Sequence, residues 1–162
     1  MSIPAVRLNH AVLFVSDLEQ SIGFWTSAFD MAVIAREPRA NAAFLRLGEG
    51  SNHHDLGLFG IGPVSERPAG RSVGLYHLAW QVDTIEQLAQ ARSTLEDMGA
   101  LTGVSSHGAT KSLYGADPDG NEFEVMWMLP IDRWGEYDST APVDPLDLDA
   151  ELEKWAGVST GR

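Results

Sequence analysis

The sequence predicts an α+β fold made of two βαβββ modules, and three observations carry that prediction. Each half of the chain reads as a strand, a helix and then three strands. The halves also match at a constant offset of 67 residues: Leu8 falls on Leu75, His10 on His77, Val15 on Val82, Glu19-Gln20 on Glu86-Gln87 and Asp30-Met31 on Asp97-Met98. An offset kept without a gap through a whole strand–helix unit marks an internal duplication. Finally, Asp117-Pro118-Asp119-Gly120-Asn121 is a dense turn signal between two alternating runs, the pattern of a hairpin that closes the second half.

Taken in order, Val6 to Val15 reads as a strand containing His10, and Ser16-Asp17-Leu18-Glu19 as a capping box. The helix that follows carries Leu18, Ile22, Trp25 and Phe29 on one face at helical spacing. Strands are expected over Met31–Arg36, Asn41–Leu47 and His54–Gly60, then a loop from Gly62-Pro63 through Pro68-Ala69-Gly70. In the second half, Gly74 to Val82 is a strand containing His77, and Asp83-Thr84-Ile85-Glu86 caps a helix with the stripe Leu88, Ala91, Leu95 and Met98. Strands near Leu101–Ser106, Lys111–Ala116 and Asn121–Trp127 complete it. In the last of these Phe123, Val125 and Trp127 share one face and Glu122, Glu124 and Met126 the other. We expect one domain over residues 1–130, with modules at about 6–62 and 72–128. An acidic tail, 131–162, follows, with a short helix starting near Asp147 or Asp149, and packs on the domain or on a partner.

Composition removes several function classes. The formal charge of −12 disfavours nucleic acid and anionic membrane as partners. Eight of the 23 acids lie between 131 and 154, against Arg133 and Lys154, so the charge belongs more to the tail than to a site. With no Cys there is neither a disulfide scaffold nor a thiolate metal site. No apolar run reaches bilayer length and no secretory signal is visible, so a cytoplasmic location is expected.

The duplication points to a site. Modules related by a pseudo-two-fold axis would bring His10 and His77 together. The same offset places Glu124 on Gly57. A symmetric site would have two His and two carboxylates, whereas this chain offers His10, His77 and Glu124, with Gly57 leaving the fourth position open. Two His and one carboxylate with open positions suit non-haem Fe(II) oxygen chemistry, and Zn, Mn, Co or Ni could use the same set.

Leu8-Asn9-His10, Leu75-Tyr76-His77 and the run Asp117-Pro118-Asp119-Gly120-Asn121 ending three residues later at Glu124 resemble the vicinal oxygen chelate superfamily, over about residues 6–128. That superfamily holds glyoxalase I, fosfomycin- and bleomycin-resistance proteins and extradiol dioxygenases. The resemblance implies paired βαβββ modules forming a curved mixed sheet around a metal held by His10, His77 and Glu124. His53-His54-Asp55-Leu56-Gly57-Leu58, His107 and Tyr114 further resemble the single-domain extradiol catechol dioxygenases. The resemblance implies Fe(II), with Mn(II) or another divalent metal as the alternative. Its substrates would be a small aromatic molecule and O2. His54 would be the acid/base, and His107 and Tyr114 would hold the catechol oxygens. The spacing of seven from His107 to Tyr114 is shorter than in several relatives. Gly115 and Ala116 are expected to leave space beside Tyr114, and the apolar residues of the tail suggest a homodimer or higher homo-oligomer. A glyoxalase-like isomerase or lyase is the alternative, weakened by Gly57. A small-molecule-binding resistance protein is the second alternative, weakened by the retained ligand set.

Overall fold

The computed structural model describes residues 3–48, 52–63 and 73–160. The part of the expected loop beyond Pro63 lies outside them. The chain divides into two compact units, Met1–Gly74 and Leu75–Arg162, each taken by itself below.

The first unit runs β1 (Ala11–Val15), α1 (Leu18–Phe29), β2 (Met31–Glu37), β3 (Ala42–Leu47) and β4 (Leu56–Gly60). Its sheet has the order β1-β4-β3-β2, with β1 parallel to β4 and the other pairs antiparallel. Leu13, Val15, Leu45, Leu56 and Leu58 are buried on one face, and α1 packs there, burying Ile22 and Trp25. The N-cap of α1 is Asp17, not Ser16: its carboxylate accepts from the Gln20 N–H at 3.0 Å.

The second unit repeats this as β5 (Leu78–Val82), α2 (Ile85–Asp97), β6 (Leu101–Ser106), β7 (Thr110–Ala116) and β8 (Glu122–Met128), in the order β5-β8-β7-β6. Thr84 caps α2 in a true capping box with Gln87. The helix buries Ile85, Leu88 and Leu95, while Met98 at its exit is 37% exposed. The fold is thus α+β, two four-stranded mixed sheets of the βαβββ kind.

The offset of 67 holds in the pairing as well as in the sequence. Val12 pairs with Gly57 in the first unit, and Ala79 with Glu124 in the second. Gly57 is therefore the register equivalent of Glu124.

Two expectations are corrected. β1 begins at Ala11 and β5 at Leu78, so His10 and His77 stand one residue ahead of their strands rather than inside them. Likewise β4 begins at Leu56, and residues 53–55 form an irregular segment before it. The reason is visible at Asn52, whose side-chain amide donates to the Asn9 and His54 carbonyls at 2.8 and 2.7 Å and to Asp55 Oδ1 at 3.0 Å. Local side-chain bonds of this kind compete with the sheet ladder.

The tail folds onto the second unit. Two single 3-10 turns, Ile131–Arg133 and Gly135–Asp138, lead to α3 (Leu148–Trp155), capped by Asp147. Leu148 is buried, and the Trp155 ring meets Trp127 at 5.9 Å between centroids. The Lys111 side chain, 7% exposed, places its ammonium 2.9 Å from Glu151.

Candidate functional site

In the first unit the irregular segments before β1 and β4 bring two imidazoles together. The rings of His10 and His54 are 4.4 Å apart between centroids. His10 is exposed, its Nδ1 2.9 Å from Asn9 Oδ1, and the Asn9 amide bonds Asn52 Oδ1 at 3.0 Å. His54 is half-buried, with the Phe44 ring edge-on at 5.1 Å. Burial first, then the charges of His10 and His53, lower its pKa below the ordinary histidine value, so it stays neutral near neutral pH. In a continuous strand His53 and His54 would point to opposite faces. Because the pair precedes the strand, alternation does not apply, and the two Nδ1 atoms lie 3.0 Å apart. Gly57 lies in β4, three residues after His54, where an added Cβ would lie 3.3 Å from Val12 Cγ2 and 3.6 Å from the Phe44 ring.

In the second unit His77 Nε2 lies 3.1 Å from Glu124 Oε2. The carboxylate is only 11% exposed and the imidazole 25%. His77 Nδ1 is buried with no hydrogen-bond partner among the described residues. The spacing fits a shared ion. Two ligand atoms each about 2.1 Å from one divalent metal stand about 3.0 Å apart when they subtend a right angle. His77 and Glu124 therefore suit a divalent cation as two of its ligands, and without one the same approach makes a hydrogen bond. Among the described residues no group of three His or acidic side chains is gathered into a ready-made cage.

Tyr114 faces Glu124 directly across the β7–β8 ladder, and its ring is 5.7 Å from that of His77. Its hydroxyl is 2.8 Å from His107 Nε2. Burial first, then the Glu124 carboxylate and Tyr76, push its pKa above the ordinary phenol value, so the O–H is retained. The short spacing from His107 to Tyr114 is thus compatible with direct contact. The space expected at Gly115 is absent: a Cβ there would be 2.8 Å from Phe123 Cε2, so the Phe123 ring fills that side.

The hairpin that carries Glu124 is held by Asp117. Its Oδ1 accepts from the Asp119 and Asn121 N–H groups at 3.0 and 2.7 Å, and its Oδ2 from the Asn121 amide at 2.8 Å. Gly120 takes the positive φ of 73° that the turn needs.

Three contributors escaped the sequence reading. Asn52 ties the His10 and His54 segments together, and its signal was the polar run Asn52-His53-His54-Asp55 before an apolar strand. Tyr76 lies 4.7 Å from His77, ring to ring, and adjoins it in sequence. The Pro142 carbonyl, 2.8 Å from His107 Nδ1, left no side-chain signal at all.

Residues 7–125 match the family model described as the Glyoxalase/Bleomycin resistance protein/Dioxygenase superfamily. Biphenyl-2,3-diol 1,2-dioxygenase 3 of Rhodococcus globerulus is 34% identical over 123 residues, 74% of this chain. The chain spans only 62% of that relative's length. Metallothiol transferase FosB of Bacillus licheniformis is 29% identical over 83% of this chain and 84% of its own. Among solved structures, an integron cassette protein from the mobile metagenome of V. cholerae superposes with a TM-score of 0.57 at 27% identity, covering 78% of this chain and 98% of that one.

Proposed function

This chain belongs to the Glyoxalase/Bleomycin resistance protein/Dioxygenase superfamily, and on that premise we propose that it is an extradiol dioxygenase, opening the ring of a catechol-type aromatic with O2. The observation that carries the reading is the hydrogen-bonded pair His107–Tyr114 set across the ladder from Glu124. A metal-assisted isomerisation needs ligands and one base, whereas ring cleavage also needs groups that hold and exchange catechol protons.

In this reading His10, His77 and Glu124 would hold one divalent metal, Fe(II) or alternatively Mn(II), which would supply Lewis acidity and an electron path for oxidation of the catechol by O2. Tyr114, kept as O–H, orients a catechol oxygen and exchanges its proton with His107. His54, neutral near pH 7, accepts and returns a proton on the side of the first unit. Gly57 leaves open the position that a second carboxylate would otherwise claim.

The test is anaerobic reconstitution with Fe(II), then air and a panel of catechols. A yellow ring-opened product with matching O2 uptake is expected. Failure to cleave any member of a broad panel would overturn the reading. One observation favours a second reading, thiol transfer or glyoxalase-type isomerisation: the metallothiol transferase is matched over 84% of its length and the dioxygenase over 62%.

A further inference from the structure

Beyond residue 125, where the family match ends, the chain returns to the site. Leaving β8, it is tied down by the Trp134 indole donating to the Leu129 carbonyl at 2.7 Å. The Tyr137 ring then occupies the space that a side chain at Gly108 would need, directly after His107. Asp144 and Ser106 exchange both backbone hydrogen bonds at 2.9 Å, making an isolated bridge on the edge strand β6. The Ser105 hydroxyl adds a bond to the Asp144 carbonyl at 3.3 Å. Between these anchors the Pro142 carbonyl meets His107 Nδ1 at 2.8 Å.

We propose that this tail segment, residues 134–144, is a positioning element for the proton-handling pair: the Pro142 carbonyl fixes His107 as the Nδ1–H tautomer, so that Nε2 accepts from the Tyr114 hydroxyl. The inference rests on the reading of His107 and Tyr114 given above. A carbonyl only accepts, so Nδ1 must carry the proton, and a neutral imidazole has just one N–H. Nε2 is then a lone pair facing Tyr114 Oη, and the hydroxyl is the donor. The bonds run in one direction, from Tyr114 O–H to Nε2 and from Nδ1–H to the Pro142 oxygen. When the Tyr114 proton moves to Nε2, the phenol becomes phenolate and the imidazole imidazolium, whose Nδ1–H stays bonded to the carbonyl. Return of the proton restores both groups. With the opposite tautomer, Nε2–H would point at Oη and His107 could not take a proton from it. The third group that orients a catalytic base is here a main-chain oxygen supplied by the tail.

Histidine-selective 15N NMR at mildly alkaline pH reads the tautomer without any bound metal. In the unaltered protein His107 is expected to show a protonated Nδ1 and a pyridine-type Nε2. Tyr114→Phe should keep that tautomer, because Pro142 remains. The double variant Asp144→Pro with Tyr137→Ala removes the donor to Ser106 and the ring on Gly108. It should give a substantial Nε2–H population and lower kcat by about 10-fold or more, with metal content unchanged. An Nε2–H tautomer in the unaltered protein, or its appearance in Tyr114→Phe, overturns the proposal. So does an unchanged tautomer in a folded double variant. If that variant does not fold, the first two measurements decide. If no catechol is cleaved, the dioxygenase reading fails while the tautomer measurement still judges the tail.

Discussion

At the scale of single residues, one missing side chain does most to define the proposed site. Gly57 stands where the duplication would put a second carboxylate, in the pairing register of Glu124. Gly57→Glu is expected to retain metal and lose ring cleavage, the added carboxylate claiming a position that substrate needs. Its Cβ asks Val12 Cγ2 to yield only a few tenths of an ångström from 3.3 Å, so the variant should fold. Unchanged cleavage would show that residue 57 faces elsewhere. His54→Ala should lower turnover by about 10²–10⁴-fold with metal still bound, the loss expected for an acid/base group. Full activity would remove His54 from the mechanism. Asp117 gives a prediction in pH. Burial, opposed by its bonds from Asn121 and Asp119, raises its pKa above the ordinary 3.8. The folded state then holds the proton more tightly than the unfolded chain. Its contribution to stability is fully present below the unfolded value and falls as pH rises through the folded one. Denaturant titrations should therefore find the wild type gaining relative to Asp117→Asn as pH falls through the acid range. The residues most legible in the sequence were those in repeat register, because a duplication fixes them by arithmetic. Asn52 and the contact of His53 with His54 were not legible, since both depend on where β4 stops being a strand.

At the scale of elements, the three helices and eight strands of the described residues could be read in chain order from apolar period and capping residues, and most errors fell at strand starts. Pairing of β1 begins where the Ala11 N–H reaches the Asp55 carbonyl at 3.0 Å, after the segment that Asn52 holds out of the ladder. Side-chain bonds between residues more than forty apart leave no trace in a local pattern. The join between α3 and β7 is likewise a long-range feature. Glu151→Gln would leave the Lys111 ammonium buried with the Ser106 hydroxyl at 2.9 Å, a loss of about 3 kcal/mol in a denaturant melt. Replacing both partners, with Lys111→Met and Glu151→Leu, should recover most of it. A double variant no better than the single one would show that the pair does more than balance charge.

At the scale of the whole molecule, metal held by the proposed ligands should stabilise the folded chain. At free metal about 100-fold above Kd the gain should be about 2.7 kcal/mol, read as a higher thermal midpoint and absent in His10→Ala, His77→Ala and Glu124→Ala. A midpoint insensitive to metal, or a stoichiometry other than one per chain, would count against the set. The tail alters the expectation of a homodimer. Leu148 and Trp155, which suggested an interface, are engaged within their own unit. Sedimentation of a chain shortened at residue 145 should therefore show the oligomeric state of the full chain at reduced stability. A shift to a smaller species would return the tail to an interface role. The Pro142 contact has a further consequence for how such a chain can vary. A main-chain oxygen belongs to no particular amino acid, so its contribution survives most exchanges at that position. It is lost when the path length changes. Drift by substitution across residues 138–143 should be nearly silent, whereas one inserted or deleted residue there should be felt at His107, a dependence that residue-by-residue identity between relatives never scores.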